Sequence, residues 1–174
     1  DGVADGVLDS SNEVSLEKYV IKNQKINRVE KYDDETIFSH GSICAKIILK
    51  KVKGYIITSI KILDVNKTGD VIALEHALEW CVENSNNIRA INISLGINDY
   101  NKKNINRMCY ILYKKGVIIC AALNNDPIEY TLPALSPYTY SVQQDIIPKI
   151  QKKNIWNADI MFNGSTEIEI NGTM

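Results

Sequence analysis

The sequence predicts an α/β fold, a three-layer sandwich in which helices cover both faces of a mostly parallel, doubly wound sheet. Two observations carry this. From His40 to Ala122, segments with apolar residues at helical spacing alternate with short β-branched runs bounded by Gly and Asn. The β-branched runs are apolar on both sides, as strands buried beneath helices must be, and their alternation with helices implies right-handed βαβ crossovers. At 174 residues and 45% hydrophobic content the chain holds one domain with a substantial core, spanning 1–174.

The elements follow in order. Val7-Leu8 is a short apolar stretch, and Asp9-Ser10-Ser11-Asn12 is rich in turn formers, so the chain opens as a strand ending in a loop. Residues 18–31 are mixed and charged without clean periodicity, and no element is assigned to them; 32–39 read as loop. From His40 to about Val52, Ile43, Cys44, Ile47 and Ile48 recur at helical spacing while Lys46, Lys50 and Lys51 fill other positions. Tyr55 to Asp64 is β-branched and bounded by Gly54 and the Asn66 to Gly69 turn, which makes it a strand. Val71 to Glu83 places Ile72, Leu74, Ala77, Trp80 and Cys81 along one side of a helix. Then come a strand at Ala90 to Gly96, a helix at Lys103 to Lys114 and a strand at Gly116 to Ala122. Beyond Ala122, Pro133, Pro137, Gly164 and Gly172 punctuate short candidate strands at 138–142, 158–162 and 166–170. In folds of this kind, sites form at the C-terminal ends of the strands.

Composition excludes several classes of function. Lys and Arg total 20 against 21 Asp and Glu, which leaves no basic excess to hold a nucleic acid. No apolar run reaches the length of a membrane span, and no basic region followed by an apolar stretch opens the chain as a signal peptide would, so no membrane partner is expected. The first residue is Asp1 rather than Met, which leaves room for an upstream segment. Cys44, Cys81, Cys109 and Cys120 are widely spaced with no Cys-x-x-Cys pair, which argues against a zinc site. Lying among apolar neighbours, they are expected as buried reduced thiols, favouring a cytoplasmic over a secreted location; their spacing leaves two disulfides open. No cofactor is predicted, calcium is left open, and no glycine-rich phosphate loop follows the first strand.

Five segments carry the chemical signal. Asp9 alone is a turn aspartate. His40-Gly41-Ser42-Ile43-Cys44-Ala45 puts a histidine, a glycine and a small hydroxyl residue at a helix start, and Asn92-Ile93-Ser94-Leu95-Gly96 is a strand running into a glycine. Ile118 to Asp126 ends in Leu123-Asn124-Asn125-Asp126, Pro133-Ala134 precedes Tyr140-Ser141-Val142, and the chain closes on Asn171-Gly172-Thr173-Met174. Together with Asp9, these pieces resemble, in order and near the expected intervals, the peptidase domain of the subtilisin-like serine proteases (subtilases, peptidase family S8).

That resemblance implies a subtilisin-like fold whose C-terminal part is missing, and it implies roles. His40 would act as general base and then general acid, Asp9 would hold its ring in the required tautomer, and Asn125 would donate a side-chain N–H to the developing oxyanion. Ser94, Leu95 and Gly96 would pair with an extended peptide as an added strand. The order aspartate, histidine, serine is that of the subtilisins. The sequence departs from the family pattern at Ser10-Ser11, where glycine is usual at the second place, at Ser42, Lys46 and Leu123-Asn124, and above all at Met174, where the resemblance implies the nucleophilic serine, either deleted, replaced or cut off. Methionine has no hydroxyl, so the chain as written is expected to form no acyl-enzyme. The expected partners are a peptide or protein substrate, and a C-terminal segment or partner chain covering the apolar sheet face left open. The alternative is a pseudoprotease that binds a peptide or pro-segment in the same cleft without cutting it.

Overall fold

A computed structural model of the chain describes residues 16–32, 39–51, 54–63, 69–98, 103–123, 131–144 and 160–162. Contacts divide the chain into two units, Asp1–Ala77 with Thr166–Met174, and Leu78–Ser165.

The first unit opens with a β-hairpin where the sequence suggested no element. Strand β1, Leu16–Lys22, pairs antiparallel with β2, Lys25–Val29, from Lys18 opposite Val29 to Lys22 opposite Lys25. Asn23 and Gln24 form the two-residue turn with φ of 51° and 60°. Positive φ at both central positions matches the right-handed twist of the flanking strands, and Asn accepts it readily. Periodicity concealed this hairpin because a lysine fills an inward position: Lys18 is only 3% exposed. Its Nζ lies 5.8 Å from the centre of the Tyr32 ring, as does that of Lys61, so both cations face the aromatic ring.

β1 also pairs in parallel with β3, Ile57–Lys61, from Leu16 opposite Ile57 to Val20 opposite Lys61. The Tyr32 hydroxyl joins the two strands. It accepts from the Tyr19 backbone N–H at 3.2 Å and lies 2.7 Å from the Ser59 carbonyl and 3.0 Å from the Ser59 hydroxyl. With the side chain 2% exposed, these bonds form where water cannot replace them. Helix α1, His40–Leu49, packs its buried Ala45 against Leu16, Leu49 and Ile57.

Helix α2, Val71–Glu83, crosses the boundary between the units. The second unit continues with β4 (Ala90–Ile93), helix α3 (Lys103–Lys114), β5 (Ile118–Ala122), β6 (Tyr140–Gln144) and β7 (Ile160–Phe162). The four strands form a parallel sheet in the order β4-β5-β6-β7, with Ile93 opposite Ala121 and Cys120 opposite Tyr140. Helix α3 buries Ile105, Met108, Cys109 and Leu112, the i, i+3, i+4, i+7 stripe that an amphipathic helix presents to a sheet. It stops at Gly116, φ 80°, where Gly116 N–H bonds the Tyr113 carbonyl and Val117 N–H the Leu112 carbonyl, both at 3.0 Å. This is a Schellman ending, which needs a residue free to adopt left-handed backbone. Lys115 Nζ then donates to the Val82 carbonyl at 3.1 Å and the Ser85 hydroxyl at 2.8 Å, joining the end of α3 to the end of α2.

Most of the expected elements are present. The helices 71–83 and 103–114 have the expected bounds, α1 stops short of Val52, and β3, β4 and β5 lie inside the expected strands. The ladders are parallel except β1 with β2. The opening strand at Val7-Leu8 and the strand at 166–170 lie outside the described residues. All four cysteines are free, and among the described residues no helix is long and apolar enough to cross a membrane.

Both the phenol and the buried thiols can be tested. Tyr32→Phe removes the hydroxyl between β1 and β3 and leaves buried partners unmatched, so it is expected to lower stability by about 1–3 kcal/mol in urea unfolding. Burial pushes the Cys81 thiol up to about 12 and the Cys109 thiol up to about 11 from an ordinary 9.0. The unfolded chain therefore loses these protons first as pH rises. Their contribution to stability is complete below pH 9 and disappears as pH rises towards 11 and 12; a Cys81→Ala/Cys109→Ala variant is expected to show a flatter decline above pH 9.

Candidate functional site

His40 is the first residue of α1, and the local sequence explains why the helix begins there. Ser39 sits in extended backbone (φ −63°, ψ 152°) as the N-cap, its hydroxyl accepting from the Ser42 N–H at 3.3 Å. The two hydroxyls of Ser39 and Ser42 lie 2.8 Å apart, and Ser42 is fully buried. A capped first turn fixes the backbone from which the imidazole projects. One turn along, Cys44 Sγ lies 3.7 Å from His40 Nε2, and both residues are half-buried. Ser42, a departure from the usual threonine, keeps its hydroxyl bonded within the cap. Lys46, also unusual, is half-buried beside the buried Ala45 on the same helix.

The second predicted segment belongs to the other unit. β4 ends the sheet order, pairing with β5 alone among the described strands. Ser94, Leu95 and Gly96 continue beyond its last ladder residue; Ser94 and Leu95 are half-buried and Gly96 is exposed. Both flanks of this segment are tied. On the strand side, Asn92 Nδ2 donates to Ser94 Oγ at 2.9 Å. On the far side, Ile97 and Leu132 exchange two backbone hydrogen bonds of 2.9 Å in an antiparallel bridge.

Gly96 lies so close to Thr131 that a Cβ built on it would clash with Thr131 Cγ2. The glycine is therefore required by close approach. Thr131 leads into a buried turn that includes a cis Leu132-Pro133 bond, with Leu135 N–H on the Thr131 carbonyl at 2.9 Å. The Thr139 hydroxyl closes the turn 2.8 Å from the Pro133 carbonyl. Pro133-Ala134 carried part of the sequence resemblance, whereas Thr131, Leu132 and Asn92 were not singled out as site residues. A bridge between residues 97 and 132 leaves no periodic trace in either segment.

Asp9, Asn125, Met174 and the Asn171-Gly172-Thr173 run lie outside the described residues. Among the described residues, no group of three or more His, Cys, Asp or Glu could hold a metal ion.

The family model of the subtilases matches residues 2–166, nearly the whole chain. The chain belongs to the subtilase family. The match spans Asp9, His40, Ser94 to Gly96 and Asn125 and stops before Met174. Among solved structures, an S41 psychrophilic protease is similar at 19% identity, with a TM-score of 0.60 over 85% of this chain and 52% of that one. At that identity the likeness supports the subtilase fold, and the chain spans about half the length of that protease. No curated protein matches the sequence.

The contact between Gly96 and Thr131 can be tested directly. Gly96→Ala is expected to destabilise the chain by about 1–3 kcal/mol through overpacking. Adding Thr131→Ser, which removes the opposing methyl and keeps the hydroxyl, is expected to recover most of that loss in thermal unfolding.

Proposed function

We propose that the protein to which this subtilase segment belongs is a serine endopeptidase that hydrolyses peptide bonds with an Asp-His-Ser triad. The observation that carries this reading is the family match across 2–166, which contains Asp9, His40 and Asn125 in subtilase order. A histidine at a capped helix start supports it, since a general base must hold its ring in one place.

In this reading His40 removes the proton from a serine hydroxyl as the oxygen attacks the scissile carbonyl, and then returns that proton to the leaving amine. Asp9 holds the imidazole in the tautomer that accepts, and stabilises the imidazolium. Asn125 donates an N–H to the oxyanion; removal of this donor in the family's own reference enzyme costs about 100- to 1,000-fold. Ser94 to Gly96 bind the peptide as an added strand, a role favoured by their place just beyond β4, at one end of the sheet order. Met174 stands where the family resemblance implies the serine, and its thioether cannot form the acyl-enzyme. The departure from the family pattern there motivates the second reading, a pseudoprotease that holds a peptide or pro-segment in the same cleft uncut. Either reading calls for a C-terminal segment or partner chain over the remaining apolar sheet face.

A fluorophosphonate probe separates the readings. The 174-residue chain is expected to take no label, while a longer chain carrying Gly-Thr-Ser and the segment beyond it is labelled and loses labelling on His40→Ala. Labelling of the short chain would point to another nucleophile, and an inert longer chain to the pseudoprotease.

A further inference from the structure

The segment proposed to bind substrate is held on both sides, and the two ties differ in kind. Downstream, the Ile97–Leu132 bridge and the Gly96–Thr131 contact are backbone and packing interactions that any sequence keeping Gly96 would preserve. Upstream, a side-chain hydrogen bond contributes to the restraint, with Asn92 Nδ2 donating to Ser94 Oγ at 2.9 Å. Residues two apart in extended backbone project to the same side, so the bond spans one repeat of the pleat without bending the chain. It stands at the C-terminal end of β4, the end at which sites form in parallel sheets. Asn92 itself is exposed. A core role does not account for an exposed amide aimed along its own strand.

We propose that Asn92 is a positioning residue for peptide binding, its amide holding Ser94 so that Ser94 to Gly96 are already extended when a peptide arrives. The inference rests on the proposed role of that segment. An edge that adds a peptide strand binds weakly if it must first be ordered, because the ordering entropy offsets the favourable energy of the new strand pairing. Ile97 is anchored by its bridge, Ser94, Leu95 and Gly96 lie between the two ties, and the Asn92 amide restricts the first of them. Asn92 touches neither the scissile bond nor the triad in this scheme. Its loss should weaken ground state and transition state equally, which raises KM and leaves kcat unchanged.

The choice of variants isolates the hydrogen bond. Asn92→Ala removes the amide and with it the bond to Ser94; Asn92→Asp keeps the side chain's size and a partner for Ser94, whose hydroxyl donates to the carboxylate. Each is made in the full-length protein and assayed on a tetrapeptide p-nitroanilide, with thermal unfolding measured alongside. Expected is a KM raised about 3- to 10-fold by Asn92→Ala, the scale of one hydrogen bond. Asn92→Asp should be near wild type, and kcat and melting temperature should stay unchanged in both. An Asn92→Asp variant as impaired as Asn92→Ala, a fall in kcat at constant KM, a lowered melting temperature or an unchanged KM would each overturn the proposal while leaving the endopeptidase reading intact. If the full-length protein cleaves nothing, the same pair of variants is read as the Kd of a fluorescein-labelled decapeptide, with the same pattern expected. Absence of both cleavage and peptide binding in the wild type would overturn the role of Ser94 to Gly96, and this inference with it.

Discussion

Parallel pairing of β4, β5 and β6 is the constraint from which the rest of the second unit follows. A parallel strand cannot be reached by a tight turn, so the chain must return along the sheet before each new strand begins. Between β4 and β5 that return is α3, whose stripe of Ile105, Met108, Cys109 and Leu112 is the apolar face such a crossover must bury. The Schellman ending at Gly116 sets where the return stops and fixes the register of Ile118 opposite Ala90. Because the strands run the same way, the chain leaves β4 at Ser94 and β5 at Leu123 along one edge of the sheet. The segment proposed to bind peptide and the strand end that precedes Asn125 in the sequence thereby share a border.

The first unit meets a different problem, the placement of a histidine on a helix whose first turn must satisfy its own backbone. Ser39 and Ser42 do so with one hydroxyl pair, and Tyr32, earlier in the chain than His40, is fastened between two strands by its phenol. Tyr32 and Ser39 are each held by their hydroxyl groups. Each bond is worth little in water, but in a site closed to solvent a hydroxyl without a partner is costly, which makes these positions sensitive to small changes.

Residue patterning made the helices and central strands legible because their apolar spacing is uniform. Val71 to Glu83 and Lys103 to Lys114 appear at the expected bounds since the periodic spacing of their apolar residues runs unbroken from end to end. The hairpin at 16–29 was illegible for the converse reason: Lys18 occupies a buried place and breaks the alternation that identifies a strand. Its turn gave no help either, because Asn23 is followed by Gln24 where glycine would announce such a turn. At the candidate site, His40 was legible from a hydroxyl-flanked helix start, and Ser94 to Gly96 from likeness to a family strand. Thr131 and Leu132 were not, because what recommends them is a meeting with Gly96 and Ile97, far earlier in the chain. Single-sequence reasoning registers local periods and short motifs; a bridge between distant segments belongs to neither.

The contact between Gly96 and Thr131 also constrains how this part of the molecule can drift. A side chain at position 96 has no room until the methyl opposite has gone, whereas shortening the residue at 131 leaves only a small gap. The two changes are tolerated in one order and obstructed in the other. Lineages descending from this sequence would reach a larger residue at 96 only through an intermediate already altered at 131, so the pair is inherited as a single character and the history of one position is recorded in the other.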